Sequence, residues 1–275
     1  MKFGIAALCG RVGMSRQNYY QGHRRRRRRR IDADLVEQLV RRERAVQPRL
    51  GGRKLHHLCA PHLAEAGVRV GRDRFFAVLA EKGLLLAPLP RKPRTTDSRH
   101  ALPVFGNLVK DLALRKPNEA WAADLTYLRT GEGFLYLSLL TDMYSRKIVG
   151  FHAGDTLETE GCLKALKMAL GELPAGMAPV HHSDRGCQYC SHLYVEAARE
   201  RGLAISMTEE CHCYENALAE RVNGILKQEY WLGCRFRTKR QALAAVAEAV
   251  WLYNTRRPHQ ALKNRTPESV HRQAA

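Results

Sequence analysis

Between residues 120 and 154 the chain carries three apolar, strand-length segments in quick succession: AWAADLTYL (120–128), GFLYLSLLTDM (133–143) and KIVGFHAG (147–154). The turns between them, GEG and YSR, leave room only for hairpins. After them the periodicity changes. A helix is expected at about 157–172, carrying Leu163, Leu166, Met168 and Leu170 on one side. A short strand at about 178–182, a helix around 191–201, a strand at 203–208 and helices at roughly 214–231 and 239–255 follow. Three hairpin-linked strands and then alternating helices and strands imply an α/β fold: a mixed five-stranded sheet flanked by helices. That order fits the ribonuclease H-like fold.

Three acidic residues stand out against this frame. Asp124 falls inside the first strand among apolar neighbours, where a carboxylate is costly unless a cation neutralises it. Asp184 follows a strand end in HHSDRGCQY, and Glu220 lies within a helix in YENALAERVNGILKQEY. The first two are separated by 59 residues and the second two by 35. A central strand, a neighbouring strand end and a helix can converge on one point. Unneutralised there, the carboxylates would repel and one would take up a proton. Mg2+ relieves this, because it prefers oxygen ligands and keeps positions open for phosphate, and Mn2+ is expected to substitute. Two such ions roughly 3.5–4 Å apart can activate an attacking oxygen and stabilise a leaving one.

The Glu220 helix carries Asn216, Asn223 and Lys227 on the same face, with Leu218, Val222, Ile225 and Leu226 opposite and expected to be buried. Lys227 suits phosphate. Asn216, Asn223, Lys227, Arg221 and Arg185 are therefore candidate DNA contacts around the carboxylates, although an ordinary amphipathic helix would read similarly. Cys187-x-x-Cys190 with Cys211-x-Cys213, near His181, His182 and His192, resembles a zinc cluster. Against zinc, the second pair has a single intervening residue, and the first pair adjoins Asp184, where a closed site would compete with an open one. Asp142, beside MYSRK, reads as a turn or surface residue. No GxxxxGK[ST] loop supports ATP use, and no constellation for covalent tyrosine or serine recombination can be assembled.

The formal charge of +19 is concentrated at the N-terminus. Residues 1–100 hold 24 basic and eight acidic side chains, against 22 and 19 in the remainder. The first third thus faces a polyanion. Its densest part is Arg24–Arg30, seven arginines expected to stay extended until they meet phosphate; it is either a solvated tether or a DNA contact through Arg24, Arg27 and Arg30. Before it, IAALCGRVGMSRQNYY reads as two short helical pieces with Gly13 at the turn and Ser15 as N-cap, a helix-turn-helix remnant.

From Ile31 a helical stripe runs through Leu35, Val36, Leu39 and Val40. A second piece around Leu55, Leu58 and Cys59 breaks near Pro61, and a third spans about 72–82 with Gly83 as its stop. With Arg53, Lys54, Arg72 and Arg74 these pieces make a small basic all-helical, helix-turn-helix-like DNA-binding domain, or a basic bundle that packs on its neighbour. Proline-bearing sequence with RKPR at 91–94 marks a linker. The expected division is an N-terminal arm at 1–30, a helical domain at 31–86, a linker at 87–112 and a catalytic core with C-terminal helices at 113–275. No apolar run approaches the roughly 18–20 residues of a membrane span, and the N-terminus is not a signal peptide, since Arg11 and Arg16 follow its apolar stretch. Eight cysteines without a secretory signal point to reduced thiols in a cytoplasm.

WAADLTYL, the TDMYSRKIVGF hairpin, HHSDRGCQY and YENALAERVNGILKQEY together resemble the integrase core of insertion-sequence transposases, of the orfB type of the insertion sequence 3 family. The 35-residue gap between Asp184 and Glu220, with Lys227 seven further on, matches that family's acidic pattern. LYNTRRPHQALKNRTPESV (252–270) is similar to its usual ending, and PRLGGRKLHHLC with VRVGRDRFFAVLAEKGLL (48–85) resembles its small helical domain. The resemblance implies a catalytic (DDE) core of Asp124, Asp184 and Glu220 holding divalent metal. It implies cleavage at mobile-element ends and joining of the freed 3′-hydroxyl to another DNA strand, with Lys227 on terminal phosphate or base. It also implies a homo-oligomer on double-stranded DNA, an orfA-type partner or frameshift fusion, and a bacterial, nucleoid-associated location. Cys187 and Cys190 depart from the pattern, as does the heptaarginine run. A ribonuclease H-like nuclease or resolvase that cuts without joining, and an inactive DNA-binding remnant, remain alternatives.

Overall fold

A computed structural model describes residues 4–87, 102–209 and 216–273. The chain divides into two compact units, Met1–Ala87 and Pro88–Ala275, each described by itself.

The first unit is helical: α1 (Ile5–Arg11), α2 (Arg16–Val46), α3 (Gly52–Glu65) and α4 (Arg72–Glu81). Gly13 takes a φ of +65° at the α1–α2 turn, and the Ser15 hydroxyl accepts from the Asn18 N–H at 3.1 Å, capping α2. Its core joins Val36 and Val40 of α2, Leu55, Cys59 and Leu63 of α3, and Phe75, Val78 and Leu79 of α4. Two expectations fail here. Arg24–Arg30 is not extended but lies within the 31-residue α2, which crosses residue 30 without interruption. Arginine is a good helix former, and no proline interrupts the stretch from Ser15 to Val46. Pro61 does not end α3 either: it sits inside it, where one forfeited backbone bond is outweighed by the buried stripe Leu55, Cys59, Leu63.

The second unit is built on a mixed sheet of β1 (Ala120–Thr130), β2 (Gly133–Asp142), β3 (Ile148–Gly154), β4 (Val180–Ser183) and β5 (Ala204–Met207), in the order β3-β2-β1-β4-β5. The first three strands are antiparallel neighbours, while β4 runs parallel to β1 and β5 parallel to β4. To the expected five strands the structure adds a two-residue β6 (Arg235–Phe236), parallel to the far end of β1. The helices are α5 (Thr159–Gly171), α6 (Cys187–Cys190), α7 (His192–Glu200), α8 (Ala217–Glu229), α9 (Lys239–Thr255) and α10 (Pro267–Gln273). This is the ribonuclease H-like arrangement.

Each sheet face has its own core. On one, Trp121, Ala123, Leu140 and Val149 pack under α5, α6 and α7. On the other, Leu128, Leu135, Leu137, Leu139 and Ile148 pack under α8 and α9. The α5 contact requires glycine at 150, where a Cβ would lie 2.2 Å from the Ala165 carbonyl oxygen. A bidentate pair, Arg257 Nε and Nη2 to Glu229 at 2.9 and 2.8 Å, ties the end of α8 to the chain leaving α9, with the Arg257 side chain 3% exposed.

Two further expectations change. Residues 102–112 do not behave as linker: Leu102 and Phe105 pack on the α5–α7 core, and the Met207 N–H donates to Gly106 O at 3.3 Å, so this stretch covers the edge of β5. Residues 88–101 lie outside the described set. Asp142 is no surface residue. It is fully buried and accepts from the Asn118 N–H (2.7 Å), the Ser145 N–H (2.6 Å) and the Ser145 hydroxyl (2.7 Å), organising the β2–β3 turn.

Candidate active site

Strand alternation sends Asp124, Thr126 and Leu128 of β1 to the face covered by α8. Along β1, β4 occupies the edge at Ala120–Ala122 and β6 at Arg129–Thr130, leaving the stretch between without a strand partner on that side. There α8 docks through polar groups. Asn216, its N-cap residue, donates from Nδ2 to Ala123 O at 3.0 Å; Asn223 Nδ2 donates to Asp124 Oδ2 at 2.6 Å; Lys227 Nζ donates to Thr126 Oγ1 and lies 5.0 Å from the centre of the Tyr127 ring. Positions 216, 220, 223 and 227 do share one helix face, but that face meets the sheet. Asn216 and Asn223 are 3% and 6% exposed, so the expectation that they touch DNA is replaced by a role in seating α8 on β1. The expected apolar face is also buried: Val222, Ile225 and Leu226 belong to the α8–α9 core.

Asp124 is half-buried, and its Oδ1 accepts from the Leu125 N–H at 2.9 Å. Burial pushes its pKa up, the Asp184 charge pushes further, and the hydrogen bonds from Asn223 and Leu125 oppose them; Glu220 adds a smaller push, and the result is about 7. Asp184 follows β4 and accepts from the Gly186 N–H at 3.1 Å, closing a tight turn into α6. Glu220 stands exposed in the first turn of α8, where the helix dipole favours an anion. Asp184 and Glu220 thus both lie within electrostatic range of Asp124. Oxygen donors of this kind suit a hard divalent cation, which would lessen the repulsion felt by Asp124. As they stand, no three His, Cys, Asp or Glu side chains among the described residues, these included, are gathered closely enough to hold a metal ion.

The cysteine–histidine grouping resolves differently. His181 accepts from or donates to Tyr194 Oη at 2.8 Å, and His182 Nδ1 pairs with Ser206 Oγ at 2.8 Å, both in the interior of β4. Cys190 is buried against Met207, while Cys187 is exposed. Cys211 and Cys213 lie outside the described residues.

Of the other basic candidates, Arg185 Nε donates to Thr208 O at 2.7 Å and Arg221 is exposed on α8. In the helical unit Arg24, Arg27, Arg30 and Arg53 are exposed and Lys54 is half-buried, while Arg72 pairs with Asp73 and Arg74 with Glu81. Sequence reasoning missed Thr126 and Tyr127. The signal was available for Thr126, since a strand residue two beyond Asp124 shares its face.

A ribonuclease H-like sheet with carboxylates at the centre of β1, after β4 and at the start of α8 defines an integrase-type core of the polynucleotidyl transferase class. The integrase core domain model matches residues 115–213, and a second integrase core domain model matches 201–267. Among curated proteins, the chain is 36% identical to the insertion element IS600 uncharacterized 31 kDa protein of Shigella sonnei, over 98% of this chain and 100% of that one. It is 32% identical to the transposase for IS629 of Shigella sonnei, covering 93% and 87%. It is 30% identical to transposase InsF for insertion sequence IS3fB of Escherichia coli K12, covering 99% and 95%. Among solved structures, the HTLV-2 integrase catalytic core domain in complex with magnesium aligns at 21% identity and a TM-score of 0.46, covering 57% of this chain and 97% of that one. An intasome of simian T-cell lymphotropic virus aligns at 19% and 0.48, covering 80% and 74%. The chain belongs to the insertion-sequence transposases of the IS3 family.

Proposed function

We propose that this protein is a DNA transposase that cuts at the ends of its mobile element and joins the freed 3′-hydroxyl to a second DNA strand, with Asp124, Asp184 and Glu220 holding Mg2+ or Mn2+. The observation that carries this is Asp124: a half-buried strand carboxylate whose pKa is raised to about 7 by burial and by Asp184, an arrangement that a divalent cation would relieve. When bound, the metal supplies Lewis-acid activation of the attacking and leaving oxygens. The chain's own residues do the rest. Asn223 fixes the Asp124 carboxylate, the Asp184–Gly186 turn holds the second carboxylate at the strand end, and Asn216 seats the helix start that carries Glu220. Lys227, held over Thr126, sets a positive charge beside this centre, suited to a substrate phosphate.

Partners on this reading are the element's terminal repeats, target DNA, further copies of the chain and an orfA-type protein. Exposed Arg221, Arg53, Arg24, Arg27 and Arg30 would grip phosphate, with Arg185, Lys54, Arg72 and Arg74 as secondary contacts. Among the described residues no helix is long and apolar enough to cross a membrane.

The test incubates the protein, with and without an orfA-type partner, with labelled DNA carrying the element's own ends, a target plasmid and Mg2+ or Mn2+. Joined products are expected. Cleavage without joining would favour a nuclease or resolvase, and no metal-dependent cleavage under any of these conditions would overturn the enzyme reading. Asp124→Asn, Asp184→Asn and Glu220→Gln should each abolish cleavage while leaving DNA binding largely intact.

A further inference from the structure

The sheet face covered by α5 is not covered along its whole length. Directly opposed residues of antiparallel strands share a face, so the pairs Ala123–Leu140, Leu125–Ser138, Tyr127–Tyr136 and Arg129–Phe134 form one row along it. At one end of the row Ala123 and Leu140 are buried under α5, and Ser138 Oγ lies 3.2 Å from Cys162 of that helix. At the other end the cover stops. Tyr127 is 40% and Phe134 48% exposed, their rings edge-to-face with centroids 5.5 Å apart. Arg129 is exposed beside them, and the β1–β6 register places Arg235 opposite Arg129. Between the hairpin and the β6 segment lies a cavity of about 340 Å3, whose lining includes Arg129, Phe134 and Arg235 together with Gly131, Gly133 and Gly233.

We infer that this uncovered end of the sheet is a binding platform for unpaired DNA strand, with bases stacking on Tyr127 and Phe134 and the backbone phosphates held by Arg129 and Arg235. Exposed aromatics flanked by cations are what a flexible polyanion with flat, apolar bases requires. The surrounding charge is positive: Lys227 Nζ lies 5.0 Å from the centre of the Tyr127 ring, and Glu132, in the β1–β2 turn, already accepts from the Lys239 N–H at 2.7 Å. Tyr127 is three residues beyond Asp124 along β1, about 10 Å, but alternation puts the two side chains on opposite faces of the sheet, so the platform would take strand that continues past the carboxylates rather than the reacting phosphate itself. The platform would thus hold a melted strand end in place, a specificity device that acts before any bond is cut. This rests on the transposase reading, since it takes DNA as the ligand.

The test uses the full chain in EDTA and compares, by fluorescence anisotropy, a blunt duplex with the same duplex bearing a short single-stranded tail of either polarity. One tail base is replaced by 2-aminopurine. The wild type should prefer a tailed duplex and quench the 2-aminopurine. Tyr127→Ala and Phe134→Ala should each lose tail affinity by about five- to a hundredfold, keep blunt-duplex affinity, and show no quenching, while Tyr127→Phe should restore the preference. Equal binding of tailed and blunt duplexes by the wild type would overturn the platform, as would equal losses on both probes. So would a change of oligomeric state in Phe134→Ala with the tail preference intact, which would mark the face as a protein contact. The two readings fail separately: a tail preference without cleavage would retain the platform and sink the enzyme, and strand transfer without a tail preference would do the reverse.

Discussion

The side-chain amide of Asn223 holds the Asp124 carboxylate in place beneath α8. Read by helical spacing, it is a polar group on the face of Glu220 and so a contact for DNA; in the fold it is 6% exposed and donates to Asp124 at 2.6 Å. Spacing along a helix tells which residues share a face but not what the face meets. By contrast, Asp124 was legible because a carboxylate within an apolar strand has few bland explanations. Outer partners of a metal-holding carboxylate orient it, and their loss usually costs ten- to a hundredfold in metal affinity. Asn223→Ala should therefore raise the Mn2+ concentration needed for half-maximal cleavage by a factor in that range, without lowering the melting temperature by more than a few degrees; an unchanged requirement would make the bond structural only. His181 is a second residue whose meaning lies in its surroundings. Complete burial and the neighbouring His182 bring its pKa down to about 4 from 6.5, so the folded protein keeps it neutral, with Tyr194 Oη at 2.8 Å from Nε2. Between those values the unfolded chain binds a proton that the folded chain does not, so its contribution is complete above about pH 6.5 and is lost as pH falls toward 4, roughly 3 kcal/mol in all. Urea unfolding at pH 7 and pH 5 should show a smaller drop for His181→Gln than for the wild type, and identical drops would refute the assignment.

At the level of elements, the five main strands, α5, α7 and α9 could all be read from their apolar pattern, because each buries apolar side chains in one or both cores. What could not be read were elements decided by context. The two-residue β6 exists only because the β1–β2 turn approaches it: the Gly131 N–H donates to Phe236 O at 2.9 Å, and a Cβ on Gly131 would lie 2.6 Å from Arg237 O. Residues 102–112 looked like linker because prolines lie before and within them, yet they cap an edge strand. The junction of α8 and α9 is a further case. Arg257 and Glu229 are far apart in sequence but form a buried bidentate pair, and the ring of Tyr253 lies 5.9 Å from the guanidinium. Removing one partner of such a pair leaves an uncompensated charge, at a cost of about 3–5 kcal/mol. Arg257→Ala should lower the chemical-denaturation midpoint accordingly, and Arg257→Lys should recover only part of it, since an ammonium cannot span both carboxylate oxygens. Full recovery by lysine would show that charge alone, rather than the planar fork, holds the junction.

Across the whole molecule, the charge of +19 is unevenly divided, and on the proposed reading the basic part is a grip and the rest a tool. Residues 101–275 are nearly balanced, and the groups proposed to react there are acidic. The helical unit holds most of the excess, and its heptaarginine run is a helix with no buried residue among positions 24–30. Seven successive arginines at 100° intervals cover every side of that helix, and each pair three or four apart is like-charged, which disfavours the helix by a few tenths of a kcal/mol per pair. Because α2 is anchored by Val36 and Val40 only in its C-terminal half, the arginine segment has no packing to offset that repulsion. Phosphate would offset it, so binding and helix formation in this segment reinforce one another. Replacing Arg24–Arg30 with alanine keeps a helix former at each position and removes the charge. If the segment is the grip, the variant should bind duplex DNA more weakly at low salt. The slope of log K against log salt should be shallower by up to about 6, near 0.9 for each phosphate no longer neutralised. Once saturated with DNA, the variant should cleave at the wild-type rate. A slope that does not change would place the run in solvent, and a lost rate at saturation would mean that grip and tool are not separable after all.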